Sequence, residues 1–195
     1  MSIDHQKIDK ITKVVIMGLG YIGLPTAAII ASRGVKVLGV DIDTNVVKSI
    51  SHGKLHIVEP DLDTIINAVI TTGNLRASTT PETADVFIIA VPTPLGEDNK
   101  PNSNYIYSAV EALAPLLEKG NLIILESTSP IGTTEQVAAR LAELRPDLCT
   151  PSNSETLPDI PIAYCPERVL PGNVLQEMID NDRIIGGMTP LCAEK

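Results

Sequence analysis

The stretch VVIMGLGYIGLPTAAIIASRGVKVLGVD, from Val14 to Asp41, limits what this chain can fold into more than any other. Val14 to Met17 are apolar and read as a buried strand. They run into Gly18-Leu19-Gly20-Tyr21-Ile22-Gly23, and a helical pattern follows over residues 24–33 until Gly34 stops it. Lys36 to Val40 form a second apolar strand that ends at Asp41, eighteen residues past Gly23. Strand, glycine turn, helix, strand and acid at these offsets predict a dinucleotide-binding βαβ unit. Gly18 permits the tight turn, Gly20 lets backbone approach a pyrophosphate, and Gly23 lets the helix sit against the strand. The helix N-terminus offers unpaired N–H groups and partial positive charge to the same phosphates. Asp41 is placed to accept the hydroxyls of the adenosine ribose. A 2′-phosphate about 4 Å from its carboxylate would cost up to roughly 4 kcal/mol at an effective dielectric of 20. The next residues, Ile42 and Asp43, bring no arginine to offset this, so NAD is expected over NADP.

The rest of the chain continues the alternation. A short helix is expected over residues 44–51, capped by Asp43 or Thr44. After a loop, Pro60 suits the first turn of a helix reaching Thr72. Residues 75–78 read as a short strand, and Thr80-Pro81-Glu82 as the start of a brief helical turn. DVFIIAV, residues 85–91, is a third buried strand that ends in Pro92-Thr93-Pro94. The polar loop 96–102 leads to a helix over residues 103–118, with Pro115 bending its last turn. Residues 122–126 form a fourth buried strand, followed by Ser127-Thr128-Ser129-Pro130 and then by a helix opened at residues 132–134 and reaching Leu144. Residues 146–161, rich in Pro, Ser, Asp and Asn, predict an exposed, mobile loop. A strand over 162–165, a helix over 173–179 and an edge strand over 183–185 complete the pattern. The fold expected is α/β, a Rossmann-type doubly wound and mostly parallel sheet with helices on both faces. Residues 1–12 are a polar lead-in and 13–195 one domain.

Composition narrows the partners. At 195 residues and 44% hydrophobic the chain can bury a sizeable core, and with one Phe and no Trp that core must be aliphatic. A net charge of −9 argues against nucleic acid and anionic membranes. There is neither a signal-peptide pattern nor an apolar run of membrane-spanning length. Cys149, Cys165 and Cys192 form no CxxC, so no disulfide framework and no metal site are indicated, and a reducing cytoplasm is expected. His5, His52 and His56 are scattered and read as solvent-facing.

Polar clusters recur at strand carboxyl ends, where ligands of open α/β sheets sit. Thr93 and Thr128 each follow a buried strand, as does Ser127. Their hydroxyls suit phosphate, ribose or a reacting water, with helix capping as the competing role. Thr134, in the first turn of a helix, divides equally between anion contact and capping. Glu126, ending a strand, reads as a satisfied structural carboxylate. Glu167 follows a strand and a proline at the same edge, where it suits orienting a water. A plain Glu167–Arg168 surface pair is its competing role. Cys165 lies inside an apolar strand without a nearby histidine, which disfavours a nucleophile.

Together, VVIMGLGYIGLPTAA, GVDID, IAVPTPLG, ILESTSPIGTTE, AYCPERVLPGNV and NDRIIGG resemble the nucleotide-sugar 6-dehydrogenases, the UDP-glucose/GDP-mannose dehydrogenase family. Many glucose-type members carry a second glutamate four residues after the position of Glu167; here that residue is Pro171. The PERVLPG form resembles the branch acting on N-acetylated sugars. The resemblance implies an NAD-dependent, four-electron oxidation of a sugar 6-hydroxymethyl group to a carboxylate, through a cysteine-bound thiohemiacetal and thioester. UDP-N-acetylmannosamine is the substrate it favours, in surface polysaccharide synthesis, with UDP-N-acetylglucosamine and UDP-glucose as alternatives. By the same resemblance Tyr21, Ile22, Asp41, Thr93 and Thr134 meet NAD alongside Gly18, Gly20 and Gly23. Arg168 and Val169 line the sugar-nucleotide site, while Glu167 and Thr128 serve catalysis. The family's catalytic lysine, asparagine and glycine-flanked cysteine are expected beyond Lys195, and full-length members form homodimers through a central helix. A different class of reading, an NAD-binding regulatory module without chemistry, leaves the PERVLPG block without a purpose.

Overall fold

The computed structural model describes residues 11–96, 99–151 and 158–195. In chain order the elements are β1 (Lys13–Met17), α1 (Gly23–Ser32), β2 (Lys36–Val40), α2 (Thr44–Ser51), α3 (Leu62–Thr71) and β3 (Leu75–Ser78). Then follow β4 (Val86–Ile89), α4 (Asn104–Leu113), β5 (Leu122–Leu125), α5 (Thr133–Leu144), β6 (Ile162–Tyr164), α6 (Val174–Asp180), β7 (Gly186–Gly187) and α7 (Pro190–Glu194). The strands make one sheet in the order β3-β2-β1-β4-β5-β6-β7, parallel except for β7, which runs antiparallel to β6. The doubly wound fold read from the sequence is the one formed.

The physical reason lies in the strands. Val15, Met17, Leu38, Val40, Phe87, Ile89, Ile123 and Leu125 pack with Ile106, Val110 and Leu113 of α4 and Val137 and Leu141 of α5. Their neighbours Val14, Ile16, Val37, Val86 and Ile88 meet Leu24, Ala27 and Ala28 of α1 and Leu62, Ile66 and Val69 of α3. Alternate residues face opposite layers and both layers are covered, so past the opening lysines of β1 and β2 each central strand is apolar on both faces. Phe87, the single phenylalanine, is fully buried at the middle of the sheet, a burial worth about 1.5–3 kcal/mol. The chain winds outward from β1 to β3 and returns with β4 beside β1. The carboxyl ends of β1 and β4 therefore flank the crevice where such sheets bind ligands.

Several local expectations change. Pro60 stands before the α3 N-cap, Asp61, rather than inside the helix. Residues 81–84 form no helical turn. The last turn of α4 tightens into a 3₁₀ segment, Ala114–Leu116, at Pro115. The edge strand forms at Gly186–Gly187 instead of residues 183–185, leaving Arg183 free to turn inward. Residues 1–10 of the lead-in, with His5, and parts of the 96–102 and 146–161 loops lie outside the described residues. In the described part of the latter loop Pro146 and Asp147 are exposed, but Leu148, Thr150 and Ile160 are buried, and the Cys149 N–H donates to Asp159 Oδ2 at 2.9 Å.

Asp85 ties the opposite edge together. Its Oδ2 accepts from the Thr12 and Lys13 N–H groups at 2.7 and 2.9 Å and from the Thr12 hydroxyl at 2.9 Å. Burial acts to raise its pKa, but the Thr12 and Lys13 N–H groups outweigh it and hold the carboxyl below 3.8. Asp85→Asn should cost about 1–2 kcal/mol at pH 7. Because the folded value is depressed, that stabilisation is fully present above the unfolded value of 3.8 and is lost as pH falls through the folded one. Urea unfolding of both proteins at pH 7 and pH 3 should show the gap shrinking; a gap that widens in acid contradicts the assignment.

Candidate functional site

The glycine turn closes over the carboxyl ends of β1 and β4. Gly18 has φ +95°, and a Cβ there would lie 2.5 Å from the Ala90 carbonyl oxygen. A Cβ on Gly23 would lie 1.9 Å from the Gly18 carbonyl oxygen. Both glycines are thus required by close backbone approach. A Cβ on Gly20 would meet nothing within 4 Å, so its backbone faces open space at the head of α1. That helix has no side-chain cap at Ile22 and no acid in its first turn. Within its first turn the Leu24 and Thr26 N–H groups donate to the Gly20 and Ile22 carbonyls at 3.1 and 3.0 Å and Pro25 has no N–H, so the helix dipole and the backbone of the glycine turn ahead of it are what meet an anion. Tyr21 is exposed and Ile22 half-buried in that turn.

Asp41 follows β2 at the side of this turn. Its Oδ2 accepts from the Leu19 N–H at 2.9 Å and its Oδ1 from the Asp43 N–H at 2.9 Å. The carboxylate is fixed against the glycine turn, and each oxygen keeps a lone pair for a ribose hydroxyl. Across the crevice, the Thr93 hydroxyl donates to the Thr128 carbonyl at 2.7 Å and joins the loops after β4 and β5. Neither threonine caps a helix: Ser103 precedes α4 and Gly132 precedes α5. Thr134 is half-buried in the first turn of α5, one residue past Thr133, whose hydroxyl donates to the Pro130 carbonyl. Ser127 is buried and donates to the carbonyls of Val91 and Ile89, so its hydroxyl is structural.

A second cluster follows β5 and β6. Glu126 is 3% exposed, and both its oxygens lie 3.2 Å from the Thr26 hydroxyl of α1. Arg183 Nη1 donates to Glu126 Oε1 at 3.1 Å, and Nη2 lies 2.7 Å from Glu167 Oε2. Glu167 Oε2 is buried and has no directed hydrogen bond, so its contact with Arg183 is an ion pair. Burial pushes Glu126 above the ordinary carboxylate value, opposed by Arg183 and Thr26 and reinforced by Glu167. Arg183 is held above its own ordinary value: partial burial opposes this, but its contacts with Cys165 and Glu126 and the charge of Glu167 outweigh it.

Glu167 does not pair with the adjacent Arg168 side chain. It accepts only the Arg168 backbone N–H, at 2.8 Å, while the Arg168 side chain is exposed and Val169 half-buried. The chain from 166 to 173 is also pinned from outside. The Leu170 N–H donates to Glu177 Oε2 at 2.9 Å, and the Gly172 and Val174 N–H groups reach Glu59 at 2.7 and 3.3 Å. Arg183, Glu59 and Glu177 were not singled out from the sequence. The hint of Arg183 was an arginine placed directly before the apolar Ile184-Ile185; for Glu59 it was an acid before Pro60 in a loop with no evident partner.

Cys165 is buried, as its strand context implies. Cys192 is buried as well, 2% exposed in α7, where its N–H donates to Thr189 Oγ1. His52 and His56 are exposed. Among the described residues, no group of His, Cys, Asp and Glu is disposed to hold a metal ion, and no helix is long and apolar enough to cross a membrane. A groove of about 650 Å³ lies between α4 and α5 around Tyr107, Glu111 and Arg140 and holds none of the predicted cofactor residues.

The sheet order, glycine turn, uncapped helix and acid after β2 define a Rossmann-type dinucleotide-binding domain. Residues 12–195 match the UDP-glucose/GDP-mannose dehydrogenase family, NAD binding domain, and the chain belongs to that family. NAD is the dinucleotide of such a domain. A UDP-N-acetyl-D-mannosamine dehydrogenase of Campylobacter jejuni is 59% identical over 96% of this chain and 46% of its own length. An NDP-N-acetyl-D-galactosaminuronic acid dehydrogenase of Ralstonia nicotianae is 55% identical over 92% of this chain and 42% of its own. The solved UDP-N-acetyl-mannosamine dehydrogenase of Staphylococcus aureus superposes with a TM-score of 0.85 at 42% identity, covering 94% of this chain and 43% of that one. The chain spans less than half the length of these relatives.

The two kinds of glycine should separate by experiment. Gly23→Ala forces backbone apart and should cost roughly 1–3 kcal/mol of stability. Gly20→Ala should leave the urea midpoint nearly unchanged yet weaken NAD binding at least tenfold in a calorimetric titration. Unimpaired NAD binding by Gly20→Ala would refute the pyrophosphate assignment.

Proposed function

We propose that this chain is the NAD-binding half, residues 13–195, of a nucleotide-sugar 6-dehydrogenase that oxidises UDP-N-acetyl-D-mannosamine to the uronic acid. The observation that carries the reading is the shared edge. The loop bearing Glu167, Arg168 and Val169 emerges from β6, and its glutamate is linked through Arg183 and Glu126 to Thr26 of α1, the helix that heads the cofactor turn. Two of the most similar relatives are named for N-acetylated sugars, which supports an N-acetylated substrate, and mannosamine is favoured by the higher identity.

Gly18, Gly20 and Gly23 shape the pyrophosphate cradle, and Tyr21 and Ile22 stand beside the α1 N–H groups. Asp41 holds the adenosine ribose, while Thr93 and Thr134 flank the rest of the cofactor. When bound, NAD supplies the hydride acceptor. Arg168 offers a fixed positive charge to the sugar nucleotide and Val169 an apolar wall. Glu167, with Thr128 across the edge, orients water and accepts its proton in the hydrolytic step. A cleft of about 10 Å³ beside Glu167, Arg168 and Arg183 has room for roughly one water. A homodimer in the cytoplasm is the setting proposed for the whole enzyme.

Titrated against this chain, NAD should bind more tightly than NADP by up to about 4 kcal/mol, roughly a thousandfold. Asp41→Ala should narrow the gap, and equal affinities in the unaltered chain would remove Asp41 from the ribose site. With NAD and UDP-N-acetylmannosamine, the chain alone should form no NADH in steady state, because Cys165 and Cys192 are buried. Steady turnover abolished by Cys165→Ala would show the nucleophile to be on this chain. In an enzyme joining this domain to a sugar-binding half, Arg168→Ala should chiefly raise KM and Glu167→Gln chiefly lower kcat.

A further inference from the structure

We propose that Arg183 is a positioning residue, holding the Glu167 carboxylate at the sheet edge by bridging it to Glu126. The inference rests on the function proposed above for Glu167. Glu126 is the anchor: it ends a central strand, is 3% exposed, and is held by the Thr26 hydroxyl. Arg183 enters from the segment between α6 and β7, and β7 is itself paired to β6, the strand that leads to Glu167. The two ends of the bridge therefore hang from neighbouring strands.

The guanidinium suits the task because its two terminal nitrogens are fixed in one plane. Nη1 takes Glu126 and Nη2 takes Glu167, at 3.1 and 2.7 Å. A lysine presents one point charge and cannot span both in fixed geometry. Remove the arginine and a largely buried carboxylate faces a second with no countercharge between them, an arrangement that drives them apart. The loop backbone is already pinned by Glu177 at Leu170 and by Glu59 at Gly172 and Val174. What remains free is the Glu167 side chain, and its second oxygen already takes the Arg168 N–H. Arg183 removes the last freedom and leaves the carboxylate aimed, with its Oε2 buried but without a directed hydrogen bond. Ground-state stability alone does not call for such a poorly satisfied oxygen.

The test has two arms. In the 195-residue chain, ¹⁵N spectra of arginine side chains should show hindered rotation of the Arg183 guanidinium, released in both Glu126→Gln and Glu167→Gln. A freely rotating Arg183 in the unaltered chain overturns the bridge. In an enzyme joining this domain to a sugar-binding half, Arg183→Gln should lower kcat by roughly ten- to a hundredfold with KM for NAD unchanged. Arg183→Lys, which keeps the charge and is the safer variant for folding, should recover only part of that loss. Full recovery with lysine, or a change confined to KM, overturns the positioning role. A held Arg183 in an enzyme that oxidises no nucleotide sugar would sink the functional reading, and the positioning role with it, while the bridge itself would stand.

Discussion

The contact on which this structure depends most is the stacking of α1 directly over the carboxyl ends of β1 and β4. It is a backbone contact. Gly23 sits against the Gly18 carbonyl and Gly18 against that of Ala90, with no room for a methyl group at either place. Because the helix can approach so closely, Leu24, Ala27 and Ala28 complete the apolar layer over Val14, Ile16 and Ile88. The same approach sets the positive end of the α1 dipole at the crevice. Packing and anion recognition are here two consequences of one geometric requirement, which is why side chains are excluded from both glycines.

Charge works against that site at long range. A chain of net charge −9 repels a dinucleotide and a sugar nucleotide alike. Attraction must come from short-range donors, the α1 N-terminus and, on the function proposed, the Arg168 guanidinium. The acids at the edge are accordingly committed. Asp41 is tied by two N–H groups, Glu126 by Thr26 and Arg183, and Glu59 by Gly172 and Val174. Each carboxylate organises backbone or a partner rather than standing as a free negative charge before the ligand.

This arrangement also explains how an irregular loop can serve as a precise surface. The segment after β6 lacks secondary structure until α6, yet acids from the loop before α3 and from α6 itself fix its N–H groups. Such fixation from outside the segment lowers the entropy lost when a ligand binds. It couples the cofactor half of the sheet, through Thr26 and Glu59, to the half that carries Glu167.

The chain's local pattern determined the alternation of strands and helices, the glycine turn and Asp41. Apolar runs, Gly and Pro punctuation and an acid at fixed offset act within about thirty residues, where periodicity and turn chemistry are sufficient. The same local reading misjudged the loop around Leu148 and Ile160, because burial there is conferred by strands distant in sequence. The one ion-pair partner it weighed for Glu167, as a competing role, was the neighbouring Arg168 when the partner is Arg183, and it left Glu59 without a role. Charged side chains reach their partners wherever the fold brings them, and sequence distance carries no information about that. Only the tertiary structure, by setting β7 against β6 and Thr26 of α1 against Glu126, decided which arginine stands between Glu126 and Glu167.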